Sequence, residues 1–256
     1  MQGHMFEAAR RVYRETRKKH DFAFNAYLAR PIAAAIVVPL ARTRVTPNQV
    51  TIFNLAVFVV AACLFVGCPS WGGGVMAALV LELSYCFDCV DGMLARHKKS
   101  ASQIGHMFDF FTDELKAVLL VGALAVRAWK IGGVGIDGRN WDPGDARFLL
   151  AGIVGVTAVA SALSLTKFLR SPELSGRSPT VEAFYEAVEV PVPRSPFGRI
   201  VASVSMILRL VNHYPSHIVL WALVGHMELF MWIWVALNGL YALRGWFGLV
   251  VRLGRT

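Results

Sequence analysis

Long apolar segments recur along this chain, and they constrain its fold more than any other feature. A helix needs roughly 20 apolar residues to cross a bilayer. The first four predicted spans cover about residues 48–65, a segment from 71 to beyond 85, residues 105–129 and residues 148–168. Residues 214–249 are long enough for two further spans if one is short, with the turn near 225–228. We therefore predict an all-α integral membrane protein with six transmembrane helices, which leaves little of the 256 residues for a soluble domain.

The residues before the first span predict two helices on the membrane surface. Phe6 to His20 is basic and could form an amphipathic helix of the kind that lies on anionic lipid. Asn25 to Arg42 contains an apolar stretch that is too short to cross and is interrupted by Pro39. Thr46 to Gln49 has the pattern of a capping box with proline at the first helical position. We predict cytoplasmic, interfacial helices over 1–45 and a six-helix membrane domain over 46–256, in which about 169–212 form a loop and a second surface helix.

The positions of the basic residues predict the orientation. The chain has 26 Lys and Arg against 17 Asp and Glu, and most of the cations fall on one side of the predicted spans. The opposite side has only Arg127, Lys130, Arg139 and Arg147. The positive-inside rule then places both termini in the cytoplasm, and we expect a bacterial or archaeal cytoplasmic membrane. The sequence contains no folded basic domain, so no nucleic-acid partner is predicted.

Four aspartates lie close together at helical spacings. Asp88 and Asp91 share a face at the cytoplasmic end of the second span, and Asp109 and Asp113 share a face at the start of the third. The short connection between the spans makes the two helices antiparallel neighbours, so all four carboxylates can converge at one depth. Acidic groups there are costly and repel one another. Hard oxygen ligands in this number favour Mg²⁺, Mn²⁺ or Ca²⁺.

Small residues and an arginine continue the aspartate face. Gly92 and Ala95 leave room for a flat or bulky ligand, and Arg96 ends the face with a guanidinium suited to phosphate. Gly105 allows a close approach on the neighbouring helix. A metal, a phosphate-binding arginine and a small-residue surface together indicate a substrate that contains a pyrophosphate.

The string of residues 88–113 resembles the signature of the CDP-alcohol phosphotransferase family of integral membrane enzymes. That signature is D-x2-D-G-x2-A-R-x7–8-G-x3-D-x3-D, and its fixed positions all match here. The resemblance extends to the Thr46-Pro47-Asn48 start of the first span, the interfacial N-terminal helix and the six-span layout.

The resemblance implies a metal-dependent transferase of phospholipid biosynthesis that moves a substituted phosphate from a CDP-alcohol to an acceptor hydroxyl and releases CMP. CDP-diacylglycerol is the expected donor, a polar alcohol the acceptor, and two divalent ions (Mg²⁺ or Mn²⁺) the cofactors. By resemblance, Asp88, Asp91 and Asp109 are metal ligands, and Asp113 is the general base and also near a metal. The residues implied to bind the cytidine diphosphate are Asp88, Gly92, Ala95, Arg96 and Gly105. Relatives are commonly homodimers, and Lys167, Arg170 and Asn48 are weaker candidates for holding the acceptor.

Three other interpretations compete with a phosphatidyltransferase. An aminoalcohol phosphotransferase would use a CDP-ethanolamine or CDP-choline type of donor with diacylglycerol. A divalent-cation transporter would need ligands continuing across the membrane, whereas only Glu114 and Lys116 follow Asp113 before an apolar run. The aspartates could also be ordinary ion-paired acids, with partners among Arg96, Lys98, Lys99 and Lys116, but pairing would not explain the shared faces.

Two short motifs match functional patterns but lack the sequence context that those functions require. Gly133 to Gly138 matches G-x-G-x-x-G, but it follows a spanning helix and not a strand, which predicts a turn-rich loop. Cys86 and Cys89 have redox spacing inside the aspartate helix without a thioredoxin-like pattern, which favours structural thiols.

Overall fold

The architecture is almost entirely helical, as predicted. The computed structural model describes residues 2–17, 21–169 and 196–254. Its α-helices are α1 (Gln2–Thr16), α2 (Arg30–Ala41), α3 (Pro47–Gly67), α4 (Trp71–His97), α5 (Gln103–Ile131), α6 (Ala146–Leu169), α7 (Pro196–Asn212), α8 (Ile218–Val224) and α9 (Met227–Leu253). A π-helical turn (Asn25–Ala29) precedes α2, a 3-10 turn (Tyr214–Ser216) precedes α8, and two short strands, β1 (Gly133–Val134) and β2 (Asn140–Trp141), follow α5.

Four of the described helices are long and apolar enough to cross a membrane. They are α3, α4, and the parts of α6 and α9 that cover Ala146–Phe168 and Met227–Val251. Helix α5 has 29 residues, but its acidic and basic residues keep it outside this set. Helix α8, which lies in the predicted fifth span, has seven residues. It is only about 10 Å long, so a crossing at this point would have to include residues before it. The count of six spans and the placement of α1 on the membrane surface stay predictions.

The predicted start of α3 is confirmed. The Gln49 side chain accepts a hydrogen bond from the Thr46 backbone N–H at 2.9 Å, and the Gln49 N–H donates to Thr46 Oγ1 at 3.3 Å. This reciprocal pair satisfies backbone donors that the first turn of a helix leaves without partners. It fixes at Pro47 the beginning of the first described helix that is long enough to cross a membrane.

The chain divides into two compact units, of which the first comprises Met1–Leu64 and Val75–Lys116. Helices α1 to α4 contribute to its apolar core, which contains Val12, Ala33, Ala34, Val37, Val50, Cys86, Val90, Met93 and Leu94. Hydrogen bonds add to the packing: the Tyr85 hydroxyl donates to Asn25 Oδ1 at 2.7 Å and the Tyr13 hydroxyl to the Ala26 carbonyl at 2.9 Å. The N-terminal helices are therefore held against the part of α4 that carries the aspartates.

The second unit comprises Phe65–Gly74 and Ala117–Thr256. In it, the buried side chain of Arg127 closes the C-terminal end of α3. Its guanidinium donates to the carbonyls of Cys68 and Ser70 at 2.8 Å each and to that of Phe65 at 3.4 Å. The last carbonyls of a helix have no partner within the helix, and a cation there also interacts favourably with the helix dipole.

We expect Arg127→Met to lower the free energy of unfolding by about 2–4 kcal/mol, because the carbonyls at the end of α3 and in the turn after it lose a charged donor. Equilibrium denaturation in detergent measures the change. Lys130→Met is the matched control, since Lys130 is exposed and donates a single bond to the Val66 carbonyl at 2.8 Å. Equal effects of the two substitutions would contradict this role for Arg127.

The segment with the G-x-G-x-x-G pattern forms an antiparallel hairpin. Gly133 pairs with Trp141 and Val134 with Asn140, and Gly138 in the turn has a φ of 75°. The Trp232 indole donates to the Val134 carbonyl at 2.9 Å. The prediction of a turn-rich loop is confirmed, and the segment lacks the strand-to-helix turn of a dinucleotide site.

Candidate active site

Three of the four predicted aspartates come together. Asp88 on α4 and Asp109 and Asp113 on α5 each offer a carboxylate oxygen, and these oxygens all lie within 4.8 Å of one another. The connection between the two helices covers only 98–102, which brings the end of α4 beside the start of α5. The group consists of hard oxygen donors that could hold a divalent cation, and such donors are typical ligands of Mg²⁺, Mn²⁺ and Ca²⁺.

A lysine lies within the same group. Lys116 is one turn beyond Asp113 on α5, and its ammonium is 2.6 Å from Asp88 Oδ1 and 2.6 Å from Asp113 Oδ1. Its side chain is 4% exposed. Of the cations proposed as ion-pair partners of the aspartates, Lys116 therefore does form such pairs. Lys98 instead donates to the carbonyls of Thr43 and Val45, at 2.9 and 2.8 Å.

Asp91 is buried beside this group and is bound from α3. Its Oδ2 accepts a hydrogen bond from the Thr51 hydroxyl at 2.7 Å, and both residues are buried. Asp91 is close enough to Asp88 and Asp109 for their charges to interact. A hydroxyl donor stabilises the charged carboxylate and fixes its direction.

A second residue of α3 binds Asp88. The Asn54 side-chain amide donates to Asp88 Oδ1 at 2.9 Å, and its own oxygen accepts from the Ser84 hydroxyl at 2.5 Å. Asn54 and Ser84 are fully buried. Neither of these residues, nor Thr51, was predicted from the sequence. A sequence signal for the α3 residues was available, because Thr51 and Asn54 are polar residues three apart in a mostly apolar helix. Polar residues in an apolar segment are the same kind of evidence that identified the aspartates.

We expect Asn54→Leu to lower metal affinity or turnover about 10- to 100-fold, as is typical when a group that orients a ligand is removed. Titration with Mn²⁺ and an assay of the purified variant measure the two quantities. Asn238→Leu is the matched control, because Asn238 is also a buried asparagine, with bonds to Asn212 and to the Trp234 carbonyl. A loss of Mn²⁺ affinity in the control as large as in Asn54→Leu would show a general effect of disturbing a buried amide.

Gly92, Ala95 and Arg96 form a half-buried surface at the end of α4. A Cβ atom on Gly92 would lie 3.4 Å from Arg96 Nη1, an ordinary van der Waals distance, so the guanidinium lies directly beside this glycine. Arg96 Nε also donates to the backbone carbonyl of Thr16, at the end of α1, at 3.2 Å. The structure thus brings a residue of α1 to the predicted donor-binding residues.

Gly105 lies where α5 approaches the start of α3. A Cβ atom there would be 3.3 Å from Asn48 Oδ1 and 3.2 Å from Ser102 Oγ. The glycine therefore permits the approach, and Asn48, a candidate for holding the acceptor, is beside it and exposed. Lys167 is exposed near the end of α6, and Arg170 lies outside the described residues.

His97, Cys86 and Cys89 lie on α4 near the aspartates, and their surroundings indicate structural roles. His97 Nδ1 is 3.2 Å from Glu15 Oε2 of α1, which ties it to the N-terminal helix. Cys86 is buried, Cys89 is half-buried, and both are free thiols. The prediction that they are structural is consistent with Cys86 lying in the apolar core.

Comparison with known families decides the classification. A family model described as CDP-alcohol phosphatidyltransferase matches residues 44–237, which is more than half of the chain and includes the whole aspartate signature. The chain belongs to the CDP-alcohol phosphatidyltransferase family. No curated protein matches it. Membership confirms the family indicated by residues 88–113 and implies a transferase that takes a phosphate-linked group from a CDP-alcohol to an alcohol acceptor in a membrane.

Proposed function

We propose that this family member transfers a phosphatidyl group from CDP-diacylglycerol to the hydroxyl of a polar alcohol, with release of CMP, in phospholipid synthesis. The observation that supports this most directly is the difference in exposure within the aspartate group. The Asp113 side chain is 49% exposed and that of Asp88 is 21%. Lys116 contacts both carboxylates, but Asp88 is also bound by Asn54 and is more enclosed. A reactant can therefore reach Asp113 from outside more readily than Asp88.

Asp88, Asp91, Asp109 and Asp113 would hold Mg²⁺ or Mn²⁺, with two ions expected. Divalent cations bound at this position would neutralise the pyrophosphate and the negative charge that develops on the leaving CMP. The protein fixes the direction of its ligands through Thr51 on Asp91 and Asn54 on Asp88. Both donors are neutral, so they orient the carboxylates without reducing their charge.

Asp113 is proposed as the general base. Its carboxylate takes the proton of the acceptor hydroxyl as the acceptor oxygen bonds to the phosphorus that carries the diacylglycerol. The bond from that phosphorus to the oxygen of the CMP phosphate breaks, and CMP leaves with the electron pair. Atoms and charge balance without a further reactant.

The donor would lie along the end of α4. Gly92 and Ala95 present little side-chain bulk, and Arg96 is next to them with a guanidinium suited to phosphate oxygens. Gly105 allows α5 to approach closely on the other side. We propose Asn48, Lys167 and Arg170 as candidates for holding the acceptor.

We propose that the site faces the cytoplasm, with both termini on that side of a bacterial or archaeal membrane. The support is the distribution of Lys and Arg under the positive-inside rule and the position of the aspartates at the end of α4 and the start of α5. A homodimer is the expected assembly, from the resemblance to the family. Cross-linking in membranes tests the assembly.

The activity is tested with protein reconstituted in vesicles that contain CDP-diacylglycerol. Mn²⁺ or Mg²⁺ and a panel of polar alcohols, with and without a phosphate, are added, and CMP release is followed. Parallel samples contain diacylglycerol with CDP-ethanolamine or CDP-choline, and sealed vesicles without nucleotide measure Mn²⁺ flux. CMP release only with CDP-ethanolamine or CDP-choline would assign an aminoalcohol transferase. Flux without any CMP release would indicate a transporter, and either result would contradict the proposal.

A further inference from the structure

Lys116 is a buried cation whose position no part of the proposed reaction requires. Its ammonium contacts one carboxylate on its own helix, Asp113, and one on the neighbouring helix, Asp88, both at 2.6 Å. The lysine therefore bridges α4 and α5 through two of the three aspartates that could hold a metal ion. A buried lysine is rare unless it is paired, so the pairing explains how it is tolerated.

The charges around Lys116 are unbalanced without a metal. Asp88, Asp91, Asp109 and Asp113 would carry four negative charges if all were ionised, whereas α3 contributes only the neutral donors Thr51 and Asn54 to Asp91 and Asp88. Like charges at these distances repel strongly in a medium of low dielectric constant. One ammonium between Asp88 and Asp113 relieves part of this repulsion.

The same two oxygens are needed by a metal ion. A divalent cation placed among Asp88, Asp109 and Asp113 would share Asp88 and Asp113 with the ammonium, and the two positive charges would repel each other. Lys116 thus stabilises the carboxylate group in the absence of a metal and opposes the binding of one.

We propose that Lys116 is a positioning residue that acts as an internal counter-cation. It keeps Asp88 and Asp113 together before a metal binds, and it weakens metal binding, so that the site loads at higher metal concentration than its carboxylates alone would require. This inference rests on the proposed metal site, and it goes further by assigning a role to a residue outside the aspartate signature.

The test compares Lys116→Met with wild-type protein in detergent. Free Mn²⁺ is measured by electron paramagnetic resonance, and thermal unfolding is recorded with EDTA and with Mn²⁺. We expect Lys116→Met to bind Mn²⁺ about tenfold more tightly or better, since one repelling charge is removed. We also expect its melting temperature to fall in EDTA and to rise further on Mn²⁺ addition than that of wild type.

Two variants serve as controls. Lys116→Arg keeps the charge and should retain the wild-type Mn²⁺ affinity. Lys98→Met removes a lysine that donates to two backbone carbonyls and should leave the Mn²⁺ affinity unchanged. Lys116→Met could instead lower the melting temperature equally in EDTA and in Mn²⁺ and leave the Mn²⁺ affinity unchanged. That result would show that the lysine has a purely structural role and would overturn the proposal.

The outcome also separates this inference from the proposed function. If wild-type protein binds no Mn²⁺, both the proposed metal site and the proposed role of Lys116 are wrong. If wild type binds and Lys116→Met does not bind more tightly, only the role of Lys116 falls. Should Lys116→Met fail to fold in EDTA, Lys116→Gln is examined under both conditions. Folding that Mn²⁺ restores in either variant supports the proposal, and failure of both variants in Mn²⁺ contradicts it.

Discussion

Replacing Asp113 with asparagine is expected to lower the rate of CMP release about 10²- to 10⁴-fold, the usual contribution of a general base. Asparagine has nearly the same shape but accepts no proton. Its side chain keeps an oxygen that can still receive a hydrogen bond from Lys116, which is 2.6 Å from the carboxylate of Asp113. The loss should therefore appear mainly in kcat, measured with reconstituted protein at saturating donor and acceptor.

The control for Asp113→Asn is Asp142→Asn. Asp142 is exposed in the loop before α6, and its substitution should leave both the rate and the melting temperature near wild type. Wild-type CMP release from Asp113→Asn would refute the proposed base. A melting temperature far below that of wild type would attribute the lost rate to unfolding, so it is recorded for each variant.

The double substitution Asp88→Asn with Asp91→Asn is expected to weaken Mn²⁺ binding by more than about 100-fold. Loss of a ligand should exceed the 10- to 100-fold effect typical of losing a group that only orients one. The substitution removes Asp88 from the group and the neighbouring carboxylate of Asp91, and the two aspartates that remain, Asp109 and Asp113, lie on one helix. Mn²⁺ titration measures the effect, and CMP release should be lost with it.

Retention of wild-type Mn²⁺ affinity in this double variant would refute the ligand assignment even if activity were lost. The single variant Thr51→Val helps to interpret an intermediate result. It keeps the Asp91 carboxylate and removes the hydroxyl that donates to it at 2.7 Å, so its effect should be smaller than that of losing the carboxylates.

Local patterns predicted much of this structure. The capping box at Thr46 and Gln49 depends on residues three apart, and the short connection between α4 and α5 leaves antiparallel neighbours as the only arrangement. Helical periodicity and the short connection together therefore placed Asp88, Asp109 and Asp113 on facing surfaces. Each of these predictions depended on groups that are near one another in sequence or on adjacent helices.

Contacts from α3 could not be predicted in the same way. Most of α3 is apolar apart from Thr51 and Asn54. These two residues mark a polar face, but the sequence does not show which helix or which aspartates that face meets. Thr51 and Asn54 bind aspartates that lie 40 and 34 residues further along the chain. The contact of Arg96 with α1 spans 80 residues and likewise depends on packing. Lys116 was recognised as a nearby cation, but its choice of Asp88 and Asp113 is set by the geometry of both helices.

The bond from Arg96 to the carbonyl of Thr16 has a practical consequence for work on this enzyme. Residues 44–237 match the family model, yet the atom that receives this hydrogen bond belongs to α1, well outside that range. A protein trimmed to the matched residues would lose the partner of Arg96 Nε together with the buried contact of Val12. Expression designs for this enzyme should therefore retain α1 and place purification tags at the other end of the chain.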